Sequence, residues 1–344
     1  RKFIRQRGYE PALLQPSKFH GVSAFEIATG EPVAKKEKLN YQDIFSTVMM
    51  NVGRHNPDVV AITAAMADGT GLKNFSKTYP DRFFDVGIAE EHAATFAAGL
   101  SLGGLVPIFA IYSSFLQRSL DQLMMDICMQ NLHVVFAIDR AGIVGNDGET
   151  HQGCFDLSYL SMIPNMTVMA PKNSWELSDM MKFAIGHTGP IAVRYPRGIA
   201  YEGMKELRAS IELGKGEILK QGSKVAMVAV GKMVEIANDA TELLKEKYQV
   251  DATLVNARFV KPFDKELIRK LVEEHEILVT LEDNVHQGGF GQQVTDWLYE
   301  QRLYPKVINI SIPDQFIEHG NVNQLYAKLG MDAESIVSKV VREL

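Results

Sequence analysis

Short, almost uninterrupted apolar runs alternate with helix-length amphipathic stretches along most of this chain. The runs are 59–63, 106–111, 133–138, 167–170 and 191–193 in the first half, and 225–230, 253–255, 277–281 and 307–310 in the second. A strand covered on both faces is apolar at every position, because neither face meets water. Such strands separated by helices predict an α/β class with two doubly wound domains, a parallel central sheet followed by a mixed C-terminal sheet.

The alternation weakens between 206 and 222, where charges and glycines dominate, and we place a linker there. It separates a predicted first domain at 40–205 from a second at 223–344. Residues 1–39 hold three prolines and a Lys-Lys-Glu-Lys run, which is typical of an extended connector. Within the first domain Asn173 stands three residues before Glu176, and this spacing predicts a helix N-cap.

Composition excludes several classes of function. A formal net charge of −6 gives no general attraction to nucleic acid or anionic lipid, so any phosphate chemistry has to be local. Cys128 and Cys154 have no CxxC spacing, which favours neither a disulfide framework nor a zinc site and fits a reducing, cytoplasmic location. The charge-free stretch 93–116 contains Gly103-Gly104 and Pro107, so we interpret it as a buried helix and strand rather than a membrane span.

Three loops that follow predicted strands carry the residues of greatest chemical interest, at 87–92, 112–118 and 139–152. Ligands of open parallel sheets bind at the carboxyl ends of the strands, where these loops lie. Taken alone, the Glu90-Glu91 pair is also what any helix N-terminus favours. The arginines and histidine that follow would suit a phosphorylated ligand if the fold brought them together, but sequence spacing does not decide this.

Several segments closely resemble the 1-deoxy-D-xylulose-5-phosphate synthases, thiamine-diphosphate enzymes of the transketolase group. They are 9–12, 18–20, 84–92, 112–118, 139–152, 194–198, 282–284 and the glycine pair 288–289. FLQR at 115–118 and DRAGIVG at 139–145 are specific to that family, whereas ordinary transketolases and pyruvate dehydrogenase β subunits share only the fold and the glutamate. The resemblance covers nearly the whole chain and implies the pyrimidine-binding and C-terminal domains of the transketolase fold.

The resemblance implies a transferase that joins pyruvate to D-glyceraldehyde 3-phosphate with loss of carbon dioxide. The product, 1-deoxy-D-xylulose 5-phosphate, feeds the synthesis of isoprenoid, thiamine and pyridoxal precursors. The implied cofactors are thiamine diphosphate and Mg²⁺. Enzymes of this family are homodimers, so we expect a homodimer here, with no nucleic acid and no membrane as partner.

Residues of the cofactor site follow by correspondence with the family's motifs. Glu90 matches the glutamate that hydrogen-bonds the aminopyrimidine ring, where it shares a proton with a ring nitrogen and so promotes loss of the thiazolium proton. Phe115 matches the aromatic residue that stacks on the pyrimidine, and Ile88 the apolar residue beneath it, although both also suit simple core packing. Tyr9 matches a residue that lines the cofactor, and His20 one near the reacting carbons.

The acceptor site follows in the same way. The contacts to the acceptor phosphate and hydroxyls are implied for Tyr112, Arg140, Asp147, His151 and Arg197. We prefer Arg197 to Arg194 because the family assignment falls on the second arginine of the RYPRG motif. The residues expected to act directly in catalysis are Glu90, His20 and His151.

One element of the family pattern has no counterpart in this sequence. The family grips the diphosphate and its magnesium with a Gly-Asp-Gly segment followed by Asn, because carboxylate and amide oxygens suit Mg²⁺. Asn146-Asp147-Gly148 with Asn173 imitates that spacing, but it falls in a segment that matches another motif. We therefore expect no metal ligands here, a diphosphate-binding N-terminal domain that was removed or is a separate polypeptide, and no activity from the isolated chain.

Two other interpretations stay open at this stage. The chain fits the pyrimidine-side subunit of a split transketolase or 2-oxo acid dehydrogenase, or a non-catalytic assembly module. Two further positions depart from the relatives, Met125 and Cys154, and we interpret both as core substitutions.

Overall fold

The protein is described here by a computed structural model, which covers residues 8–15, 19, 24–31, 33 and 38–344. It forms two compact units, Arg1–Leu39 and Asn40–Leu344. The first unit contains the short helix α1 (Glu10–Leu14). Tyr9 precedes this helix, packs against Phe19 and Phe25 with ring centroids 5.5 and 5.8 Å away, and donates a hydrogen bond to the Ile27 carbonyl oxygen at 2.7 Å.

The second unit is built around two sheets. The first contains β1 (Val59–Thr63), β2 (Phe83–Asp85), β3 (Val106–Tyr112), β4 (Val135–Asp139), β5 (Thr167–Met169), β6 (Ile191–Arg194) and β10 (Phe259–Lys261), and the second contains β7 (Glu217–Lys220), β8 (Lys224–Ala229), β9 (Thr253–Asn256), β11 (His275–Val285) and β12 (Lys306–Ile312). The strand orders are β10-β5-β6-β4-β3-β1-β2 and β12-β11-β8-β9-β7. Every pairing is parallel except those of β10 with β5 and β7 with β9.

The predicted class, a parallel sheet followed by a mixed sheet, is confirmed. The sequence did not reveal that β10, from the C-terminal half, pairs with the edge of the first sheet. Residues 217–220 lie inside the segment predicted as a linker and form β7 at the edge of the second sheet. The domain boundaries themselves stay predictions.

The helices cover both sheets. They are α2 (Tyr41–His55), α3 (Lys73–Thr78), α4 (Glu90–Leu102), α5 (Ser113–Leu116), α6 (Leu120–Gln122), α7 (Asp156–Ser161), α8 (Ser174–Ile185), α9 (Met233–Tyr248), α10 (Lys265–Glu274), α11 (Phe290–Glu300), α12 (Val322–Lys328) and α13 (Ala333–Val341). Single 3₁₀ turns occupy Pro80–Arg82, Gln117–Ser119 and Glu149–His151, and a π-helix spans Leu123–Cys128.

Local sequence signals account for several of these elements. The Asn173 side chain accepts a hydrogen bond from the Glu176 backbone N–H at 2.9 Å, which confirms the predicted N-cap of α8. The charge-free stretch 93–116 forms most of α4 and then β3, as predicted. No helix in the described ranges combines the length and apolar character that crossing a bilayer requires. Cys154 is buried as predicted, but the core prediction for Met125 is wrong, because its side chain is half exposed on the π-helix.

The apolar core is continuous between the two sheets. Its largest cluster joins Phe136 and Val168 of the first sheet to Val228 and Leu278 of the second. Burial of this kind stabilises by about 25 cal/mol per Å² of apolar surface, so separating the sheets would be costly. The shared core therefore fixes the positions of the two sheets, and of the loops at their edges, relative to each other.

Candidate cofactor and phosphate site

The carboxyl ends of adjacent parallel strands bring the predicted loops together. Tyr112, the last residue of β3, pairs in register with Asp139, the last residue of β4. Ile138 of β4 pairs with Arg194, the last residue of β6. The loops after these three strands therefore leave the sheet side by side, although more than 80 residues separate the first from the last.

A tight loop after β2 sets the position of Glu90. The Asp85 carboxylate accepts hydrogen bonds from the backbone N–H groups of Ala65 at 2.7 Å and Gly87 at 3.0 Å. Gly87 has φ +73°, a left-handed conformation that side chains other than glycine rarely adopt. Helix α4 then begins at Glu90, whose carboxylate is buried, while the adjacent Glu91 is exposed.

Glu90 is only 3% exposed, and an arginine holds one of its oxygens. The Nη1 atom of Arg118 donates to Glu90 Oε1 at 2.8 Å, and the Arg118 guanidinium carbon lies 5.7 Å from the centroid of the Phe115 ring. Within the described part of the chain, Oε2 of Glu90 accepts no hydrogen bond. Sequence reasoning used Arg118 only as part of a family motif and gave it no role.

Three aromatic rings form a continuous stack beside this carboxylate. Tyr112 stacks on Phe115 with centroids 5.4 Å apart and planes at 27°. Phe115 meets His151 edge to face, again with centroids 5.4 Å apart. The Nδ1 atom of His151 lies 2.9 Å from the Thr150 hydroxyl. The structure therefore brings together the residue predicted to stack on the pyrimidine and two of the predicted acceptor residues.

Arg140 also packs against Tyr112. Its guanidinium carbon is 3.5 Å from the centroid of the Tyr112 ring, and its Nη1 atom donates to the carbonyl oxygen of Gly69 at 3.3 Å. A Cβ atom at Gly69 would stand 2.0 Å from the Tyr112 hydroxyl, so this close approach requires glycine. Burial raises the pKa of Tyr112 while Arg140 partly opposes the shift, so the phenol is uncharged at neutral pH.

The two arginines of the RYPRG motif have different surroundings. Arg197 donates to Asp147 at 2.5 Å, and the two side chains are 39% and 33% exposed. Arg194 is 2% exposed and is fully engaged with Asp156 and Asp283. Arg197 is therefore the arginine that a ligand can reach, whereas Arg194 ties the first sheet to the second.

The structure does not place the remaining predicted residues in this cluster. Ile88 is 80% exposed, so no described residue covers it. Tyr9 belongs to the first unit, and its place relative to these loops stays a prediction. His20 lies outside the described residues. No group of three His, Cys, Asp or Glu side chains in the described ranges is arranged for a metal ion, and Asn173 instead serves as the helix cap.

Two family models match this chain. The pyrimidine binding domain of transketolase matches residues 37–201, and the C-terminal domain of transketolase matches residues 214–336. The chain belongs to the transketolase family. Among curated family members, it is 52% identical over 338 residues to the 1-deoxy-D-xylulose-5-phosphate synthase of Lachnoclostridium phytofermentans and 48% identical to that of Alkaliphilus oremlandii. Each alignment covers 98% of this chain and 54% of the relative, so the chain spans about half the length of these relatives.

Solved structures of the family have the same fold. One, described as "split gene transketolase, inactive beta4 tetramer", superposes with a TM-score of 0.77 at 29% identity and covers 89% of this chain and 98% of its own. The transketolase of Campylobacter jejuni superposes with a TM-score of 0.74 over 98% of this chain and 50% of its own length. At 17% identity, the second comparison shows the fold alone.

Proposed function

We propose that this chain supplies the aminopyrimidine-binding and acceptor-phosphate-binding half of a 1-deoxy-D-xylulose-5-phosphate synthase. Such an enzyme is a transferase that joins pyruvate to D-glyceraldehyde 3-phosphate with loss of carbon dioxide. The identity of about half of all aligned positions to synthases supports this activity. The single observation that carries it is the buried carboxylate of Glu90, which lies next to the aromatic stack and the arginines; Arg118 holds one of its oxygens, and the other accepts from no described residue.

The residues present fit thiamine diphosphate. An aminopyrimidine needs a partly desolvated carboxylate oxygen as partner, an aromatic face and an apolar contact, and these are offered by Oε2 of Glu90, by Phe115 and by the uncovered Ile88. When bound, the cofactor supplies the electron sink for decarboxylation. Glu90 would hold a proton at the ring nitrogen, and Arg118 would keep its carboxylate in place. Tyr9 and His20 stay proposed contacts, and the Mg²⁺ that accompanies the diphosphate is proposed to bind elsewhere.

Two arginines and two members of the aromatic stack would receive the acceptor. Arg140 and Arg197 present guanidinium groups, which match phosphate oxygens in bidentate geometry. Asp147 accepts from Arg197 and so fixes its direction, while Tyr112 and His151 offer donors for the substrate hydroxyls. Removing one of these guanidinium groups should cost about 2 to 5 kcal/mol of acceptor binding.

Two adjacent glutamates provide a matched test. With the diphosphate-binding half supplied, in one polypeptide or separately, formation of 1-deoxy-D-xylulose 5-phosphate is measured for the wild type, Glu90→Ala and Glu91→Ala. We expect the first variant to lose at least about 10²-fold in turnover, the typical scale of acid-base catalysis, and the exposed second variant to stay near wild type.

The outcomes separate the competing functions. Turnover of sugar phosphates by a wild type that makes no deoxyxylulose phosphate would point to a split transketolase. Full activity of Glu90→Ala would leave only a binding or assembly role. We further propose a cytoplasmic homodimer, which mass photometry and fractionation would test; the two buried, unpaired thiols are compatible with a reducing compartment.

A further inference from the structure

We infer that Asp139 is a positioning residue of the acceptor site: it holds Arg140 against Tyr112 so that the guanidinium faces a phosphorylated ligand. The inference rests on the proposed function and deepens it. None of the sequence motifs gave Asp139 a role of its own. It is the last residue of β4 and pairs in register with Tyr112, the last residue of β3.

Asp139 contacts both ends of Arg140. One carboxylate oxygen accepts from the Arg140 backbone N–H at 2.6 Å, and the other lies 3.5 Å from Arg140 Nη1. Asp139 itself is only 3% exposed. A single buried carboxylate therefore fixes the backbone and the side chain of the arginine together.

The backbone of Arg140 needs such support. Its φ is +60°, in the left-handed region, which costs an L-residue with a side chain about 1 to 2 kcal/mol. The hydrogen bond from its N–H to Asp139 fixes the peptide plane that precedes this residue, and the contact of Nη1 with the second carboxylate oxygen holds the guanidinium, which lies over the Tyr112 ring. Without the carboxylate both restraints are lost, and we expect the guanidinium to leave the ring.

The held guanidinium still has donors to offer. Nη1 is directed at Asp139 and Gly69, whereas Nη2 donates to no residue in the described ranges. Nε is buried and has no hydrogen-bond partner among the described residues, which is unfavourable for a buried donor. An arginine with unused donors in a half-buried cluster is suited to a phosphate group of the acceptor.

The charges around Asp139 should make phosphate binding depend on pH. Arg140 and Arg197 act on it with positive charge, and the phenols of Tyr112 and Tyr195 face it uncharged. Burial raises the pKa of the Asp139 carboxyl to about 6, with Arg140 and Arg197 opposing the shift. With Asp139 ionised, the two arginines are balanced by Asp139 and Asp147. Once Asp139 is protonated the cluster carries one net positive charge, so it should bind phosphate more tightly below pH 6.

The test separates positioning from charge. Binding of inorganic phosphate to the 344-residue chain is measured by calorimetry at pH 5.5 and pH 8 for the wild type, Asp139→Ala and Asp139→Asn. We expect the alanine variant to bind at least about tenfold more weakly at pH 8. The asparagine variant keeps an oxygen that can accept from the Arg140 N–H but loses the second oxygen beside Nη1, so it should bind more tightly than the alanine variant. Its affinity relative to wild type should be higher at pH 8 than at pH 5.5.

The ratio of the phosphate affinities of Asp139→Asn and wild type is not affected by the protonation of phosphate itself, because both proteins bind the same ligand at each pH. Wild-type affinity in the alanine variant, or no phosphate binding by the wild type, would overturn the inference. A purely structural role would lower the melting temperature and impair D-glyceraldehyde and its 3-phosphate equally as acceptors in the complete enzyme. Loss of phosphate binding in Asp139→Ala, together with a wild type that makes no deoxyxylulose phosphate, would refute the proposed function and leave this inference standing.

Discussion

Arg194 and Arg197 stand three residues apart, yet replacement by glutamine should impair folding stability at the first and ligand binding at the second. Arg194 makes a bidentate pair with Asp156 at 3.0 and 3.1 Å and reaches Asp283 at 2.5 Å, with all three side chains buried. Arg197 forms one ion pair, with Asp147, and the two side chains are 39% and 33% exposed. The substitution is chemically the same, so the surroundings alone decide the outcome.

The magnitude for Arg194→Gln follows from the two carboxylates left behind. Burial raises the pKa of Asp156, and Arg194 is the main influence opposing that shift, so loss of the guanidinium leaves an uncompensated charge. Breaking a buried pair in this way costs about 3 to 5 kcal/mol, whereas an exposed pair is worth roughly 0 to 1 kcal/mol. For a unit of this size, we expect a melting temperature roughly 5 to 8 °C lower for Arg194→Gln and almost unchanged for Arg197→Gln.

The assay combines unfolding with ligand binding. Urea unfolding and thermal denaturation give the loss of stability, and phosphate calorimetry gives the effect on the site. Arg197→Gln should weaken phosphate binding by about 2 kcal/mol or more with normal stability. Unchanged unfolding of Arg194→Gln, or equal destabilisation by both variants, would refute the assignment of one arginine to the interface and the other to the ligand.

Three further changes have definite expected outcomes. Arg118→Gln should lower turnover about tenfold or more by releasing Glu90, with little change in the KM for acceptor, as steady-state kinetics would show. Gly142→Ala should cost at least about 2 kcal/mol in urea unfolding, because its φ is +74° and the new Cβ would stand 1.9 Å from Asp283. Burial raises the pKa of Glu282 to about 8, so the folded state retains a proton that the unfolded chain releases near pH 4.5. The contribution of this carboxyl to the free energy of unfolding is therefore greatest below pH 4.5 and is lost as the pH rises to 8. Glu282→Gln should flatten the stability profile across this range.

Each of these changes has a control. Arg118→Lys keeps a cationic donor and should retain more turnover than glutamine; equal loss in both variants would argue against a role through hydrogen bonding. Gly198 also has positive φ, +102°, but no atom of the described residues lies within 4 Å of the Cβ that Gly198→Ala would add, so this variant isolates backbone strain from the clash. A stability profile between pH 5 and 8 with the same slope in Glu282→Gln and wild type would contradict the titration of that carboxyl.

Local patterns were sufficient for most elements of the fold. Continuous apolar runs predicted the strands, because a strand buried on both faces has no polar position, and Asn173 before Glu176 predicted a helix start. The edge strand β10 escaped prediction, because its pairing with β5 depends on a partner about 90 residues away. Met125 was misplaced for a related reason: an apolar side chain on a helix does not show by itself whether another element covers it.

The family motifs in this sequence determined which residues to consider, including Glu90, Phe115 and Arg140, since their residue types at those spacings carry the resemblance. Only the tertiary structure decided which of them meet. It separated the ligand-accessible Arg197 from the buried Arg194, and it revealed Arg118 and Asp139 as the partners of Glu90 and Arg140. The physical reason is that parallel pairing of β3, β4 and β6 juxtaposes loops far apart in the chain, and burial at that edge then sets which charges are paired and which are left for a ligand.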